Sequence, residues 1–82
     1  MKFNIEQCRN DLTTVTEEAQ ALRDVYMKDV TPATYSPYVD VARKQVHVAT
    51  MLTILERMKE DWEALCDQGA FAGIDPKKYI NE

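Results

Sequence analysis

An all-α fold, an antiparallel hairpin of two long helices followed by a short C-terminal helical turn, is predicted by three observations. Apolar residues recur at helical spacing through two long segments, and each segment opens on a capping residue. Two glycines and three prolines in 82 residues are too few for the many turns of a β architecture. The chain reads as a single domain, residues 1–82, with helices at about 5–28 and 37–68, a connection at 29–36 and a tail at 69–82.

The first helix starts at Asn4, a good N-cap residue, and Gln7 three positions on completes a capping box. Ile5, Cys8, Leu12, Val15, Ala19, Leu22 and Tyr26 then follow with alternating spacings of three and four. That stripe is narrow and suits a coiled-coil seam. The other face carries Glu6, Arg9, Asn10, Thr13, Glu17, Gln20, Arg23 and Asp24, a solvated surface. Thr13, Thr14 and Thr16 lower intrinsic helicity, so packing must hold this helix.

The connection DVTPATY contains one cap-and-proline pair, Thr31-Pro32, and a second follows at Ser36-Pro37. The second is taken as the start of the long helix, with Pro37 at the first helical position, where its missing N–H is not needed. Both pairs also match the minimal Ser/Thr-Pro phosphorylation pattern, and capping accounts for both. Gly69 is taken as the helix stop, which gives a helix of about 32 residues and roughly 48 Å.

Along that helix Val41, Val48, Leu55 and Trp62 form one slowly drifting line. Val39, Ala42, Val46, Ala49 and Leu52 widen it on one flank in the first half, and Ile54, Met58 and Leu65 on the opposite flank in the second. A single neighbouring helix cannot cover both flanks. The expectation is therefore a homo-oligomer, a dimer forming a four-helix bundle. The short connection makes the helices antiparallel neighbours, with Ala19 opposite Val46, Val15 opposite Thr50 and Leu12 opposite Thr53, and leaves Trp62, Leu65 and Cys66 in an overhang. In the tail, Asp75-Pro76 caps a helical turn over 76–80, and Phe71 and Ile74 fold back onto the long helix or reach a second subunit.

Composition excludes several functions. A net charge of −4 argues against a surface built to neutralise phosphates, and it is too small for a nucleic-acid mimic. No run approaches the roughly 20 apolar residues of a membrane span, and no leader pattern opens the chain. Cys8 and Cys66 stand far apart in sequence and read as free thiols in a reducing, cytoplasmic setting. No cofactor, metal or catalytic motif is present, and the chain reads as not an enzyme. His47 is the lone histidine and has no carboxylate placed to orient it. Glu56 and Glu60 lack the Glu-x-x-His partner of helical-bundle metal sites.

The functional expectation is a non-catalytic protein–protein interaction module: a small oligomeric adaptor, assembly factor or inhibitor acting on a partner protein. Met58, Trp62, Leu65, Phe71 and Ile74 form its contact surface, because a tryptophan-bearing apolar overhang with an acidic rim has the composition of an interface hot spot. The alternative is a nucleic-acid-associated helical dimer using Arg43, Lys44 and His47, which resembles, at the level of the fold alone, the plasmid RNA-binding hairpin dimers.

Overall fold

The computed structural model describes residues 2–57 and 62–81, with Lys2, Trp62 and Asn81 as backbone only. Its order is β1 (Lys2–Phe3), α1 (Ile5–Lys28), α2 (Pro32–Arg57), α3 (Trp62–Ala72), a 3-10 turn (Pro76–Tyr79) and β2 (Ile80–Asn81). The two long helices pack together as the expected antiparallel hairpin, 46 Å in its longest dimension.

α1 has the predicted bounds. The Asn4 side chain accepts a hydrogen bond from the Gln7 N–H at 3.1 Å, but the capping box is half formed. The Gln7 side chain donates onward to Asp11 (3.0 Å) instead of back to Asn4. The Asn4 N–H donates to the Tyr79 carbonyl at 2.6 Å, so the C-terminal turn completes the cap. Cys8, Val15 and Ala19 of the heptad stripe are buried, and Ile5, Leu12, Leu22 and Tyr26 are half-buried.

α2 starts earlier than expected, at the first of the two proline pairs. Thr31 and Thr34 cap one another: the Thr34 N–H donates to the Thr31 hydroxyl (3.4 Å), and the Thr31 N–H donates to the Thr34 hydroxyl (3.3 Å). The Thr34 hydroxyl also donates to the Asp29 carbonyl. This reciprocal pair fixes the helix start, with Pro32 at the first helical position. Pro37 then falls inside the helix, where its ring leaves the Ala33 carbonyl without its usual donor. Pro37 is exposed.

The expected single helix over 37–68 is two helices, α2 ending at Arg57 and α3 beginning at Trp62. α3 turns back along α2: Gln68 and Phe71 lie beside His47. There is no overhang, and the physical reason is the second apolar flank. A straight continuation would leave Ile54 and Leu65 in water, whereas here they are 7% and 0% exposed. Each such side chain contributes roughly 1.5–3 kcal/mol when buried.

Gly69 is likewise not the stop. It is buried inside α3, where a Cβ would lie 2.6 Å from the Ile74 carbonyl oxygen and 3.0 Å from Pro76. Only a glycine lets the chain return so closely. Gly73, with φ of +70°, ends the helix. The Ile74 N–H donates to the Gly69 carbonyl (2.7 Å) and the Gly73 N–H to Ala70 (3.3 Å), the paired bonds of a Schellman motif.

The predicted turn after Asp75 is present, with the Asp75 side chain accepting from the Lys77 N–H at 3.0 Å. Beyond it, Phe3 pairs with Ile80 and Lys2 with Asn81 in a two-stranded antiparallel ladder. The core is Cys8, Val15, Val48, Met51, Ile54, Leu55, Leu65 and Tyr79. Across α1 and α2, Arg9 meets Glu56 (2.7 Å) in the expected register, whereas Gln45 donates to Thr16 (3.1 Å) and the Cys8 thiol to the Val48 carbonyl (3.8 Å), about four and nine residues off it. Among the described residues, no helix is long and apolar enough to cross a membrane.

Candidate interaction surface

The structure separates the predicted contact residues. Leu65 is fully buried, and Ile74 is half-buried against the core. Phe71 is 74% exposed, with its ring edge on His47 at 4.6 Å between centroids. Met58 and the Trp62 side chain lie outside the described residues.

Arg43, Lys44 and His47 share one face of α2, the two cations at i+4 and i+3 spacing from His47. Arg43 and Lys44 are exposed, one residue apart and therefore about 100° apart around α2. His47 is half-buried and engaged by α3, its Nδ1 3.1 Å from Gln68 Oε1. It acts as a spacer between two helices.

A polar cluster gathers on Asp11 and holds the C-terminal turn to α1. The Tyr79 hydroxyl donates to Asp11 Oδ2 at 2.6 Å, the Lys78 ammonium lies 2.9 Å from the same oxygen, and Gln7 donates to Oδ1. Burial works against ionisation of Asp11, but the hydrogen bonds from Tyr79, Lys78 and Gln7 outweigh it and hold the carboxyl below its usual range. Burial and the Asp11 carboxylate push the Tyr79 phenol well up. Burial, followed by the nearby Asp11 and Glu56 charges, raises the Cys8 thiol to about 11. Cys8 is therefore a thiol at neutral pH, whereas a nucleophilic cysteine requires thiolate. Val15, Lys44, Val48 and Ile74 complete the cleft beside this cluster, and its contacts serve to hold the turn in place.

The surface that stands out lies at the opposite end. From residue 20 to residue 47 no residue is buried, although that stretch contains Leu22, Val25, Tyr26, Met27, Val30, Tyr35, Tyr38, Val39, Val41 and Val46. Two helices alone shield one stripe each, and α3 reaches back only as far as His47. Among the described residues, the remaining half of the hairpin has no third layer. Tyr26 is the hub there, its ring 5.3 Å from Tyr35 and 6.1 Å from Tyr38 between centroids. Met27, Val30 and Tyr35 around it are 65%, 68% and 51% exposed. Sequence reasoning missed this cluster because Tyr26 read as the end of a stripe and Tyr35 as part of a connection. Three tyrosines within thirteen residues across a short loop were the available signal.

Compared with protein families, curated proteins and solved structures, the chain matches none of them.

Proposed function

We propose that the protein is a non-catalytic protein–protein interaction module, a small adaptor, assembly factor or inhibitor. Its contact surface is the uncovered half of the hairpin, residues 20–47. The observation that carries this reading is the absence of any buried residue in that stretch, combined with its tyrosine, valine and methionine content. Tyrosine and methionine are enriched at interface cores, and large exposed apolar patches mark interaction sites. The proposal replaces the surface expected around Leu65 and Ile74 and retains Phe71 as a separate exposed residue. Self-association into a four-helix bundle belongs to the same proposal, since a second hairpin supplies the two missing helices.

The test is affinity capture from the native host, with and without nuclease, comparing wild type with Val30→Ser/Tyr35→Ser and with Arg43→Ala/Lys44→Ala. Capture of protein that survives nuclease and is lost in the Val30/Tyr35 variant is the expected result. Recovery of nucleic acid that depends on Arg43 and Lys44 and falls steeply with salt would transfer the function to the basic patch.

A further inference from the structure

We infer that the cleft between α1, α2 and the C-terminal turn binds a small zwitterion with an apolar body, of which a free aliphatic amino acid is the chemical type. The inference is independent of the proposed contact surface.

Size and floor come first. The cleft has a volume of about 330 Å³, at the small end of the roughly 300–1,000 Å³ of ligand pockets, so it suits a molecule well below drug size. Its floor belongs to the core: Val15, Val48 and Tyr79 are 5%, 2% and 1% exposed, and Ile74 packs against them. A branched aliphatic group laid there continues the packing of the core.

The charges around the cleft divide into spent and unspent. Asp11, Glu18 and Asp75 line it with Lys44 and Lys78. Asp11 and Lys78 neutralise one another. The Asp75 carboxylate accepts from the Lys77 N–H of its own turn and is fixed in place. That leaves Glu18 on α1 and Lys44 on α2. Among the described residues neither makes a hydrogen bond or an ion pair, so they do not pair with each other across the cleft. A ligand that carries a carboxylate and an ammonium on one carbon satisfies both at once. Its carboxylate accepts from the Lys44 ammonium and its own ammonium donates to Glu18, and charge-assisted bonds of this kind are the strong ones.

The same charges select against other ligands. With Asp11 and Lys78 paired, the two remaining carboxylates outnumber the one remaining ammonium, which repels a phosphate ester or a dicarboxylate. Lys44 repels a simple amine, and Glu18 repels a simple carboxylate.

Amide NMR of the full chain titrated with L-leucine tests this, alongside isopentylamine and isocaproate, which are leucine without its carboxylate and without its ammonium. The expected result is saturable shifts of the amides that line the cleft on α1, α2 and the turn, with a dissociation constant of about 1 mM or below. Both analogues bind at least about tenfold more weakly, and so does leucine to Glu18→Gln and to Lys44→Gln, each case having lost one charge-assisted bond. Both positions are exposed, and the analogues make the same test on the unaltered chain. Val30→Ser/Tyr35→Ser leaves leucine binding unchanged, so failure of the contact surface and failure of the cleft are distinguishable. No saturable shift up to about 10 mM leucine, equal binding of either analogue, indifference to either charge substitution, or shifts confined to the uncovered half of the hairpin overturns the inference.

Discussion

The two ends of this hairpin are built from the same two helices and differ in what is laid across them. At the closed end, α3, the 3-10 turn and the two-residue ladder bury Cys8, Met51, Leu55, Leu65 and Tyr79 to 1% exposure or less. At the open end none of the described residues is laid across, and ten large apolar side chains remain partly or wholly in water. Amphipathic helices are not sufficient for a core; a third element decides where one forms. An 82-residue chain has little surface to bury, and this one spends its extra elements at one end.

The sharpest way to break this contrast is at Tyr79. Tyr79→Ala removes the largest fully buried side chain and is expected to cost roughly 3–5 kcal/mol in chemical denaturation. Tyr79→Phe keeps the ring but leaves Asp11 short of a donor, and should cost about 1–3 kcal/mol. A Tyr79→Ala loss below that of Tyr79→Phe would mean the turn is not part of the core. Gly69→Ala comes next: the added methyl meets the backbone oxygen of Ile74, and overpacking of this kind costs about 1–3 kcal/mol. Gly73→Ala, strained by its positive φ but sterically open, should cost about 1–2 kcal/mol.

A pH series sharpens the comparison further. Asp11 titrates lower in the folded chain than in the unfolded one, so its contribution is present above the unfolded value of about 3.9. It is lost as pH falls through the lower folded value. Stability curves of wild type and Asp11→Asn should therefore be separated at neutral pH and converge in acid. Parallel curves would show that Asp11 does not anchor the turn. The smallest effect belongs to the open end, where Val30→Ser should change the stability of the single chain by no more than about 0.5 kcal/mol. A larger loss would place Val30 in a core that the fold does not show.

Much of the closed end's wiring was not legible in the sequence. Local signals were strong where one helix decides the outcome: the Asn4 cap, the seven-residue stripe of α1 and the Asp75 turn all stand where expected. They failed where distant segments compete. Ser36-Pro37 looks as good a start as Thr31-Pro32 until Thr34 is seen to complete a reciprocal cap. Gly69 looks like a stop until Ile74 and Pro76 are seen to press against it. Two-residue strands carry no periodic pattern, so the pairing of Phe3 with Ile80 left no trace. The apolar flank of Ile54 and Leu65 was read correctly as needing a cover, but the cover is α3 and the turn, from the same chain.

The ladder between Lys2–Phe3 and Ile80–Asn81 has a mechanical consequence. Residues 2 and 81 lie side by side at the closed end, so a pull applied to them acts across the antiparallel pair and opens its bonds one after another. Shear, which would load them together, does not arise. Force spectroscopy should accordingly show the turn and ladder peeling off first at low force, followed by α3, with the tip of the hairpin last to feel the load.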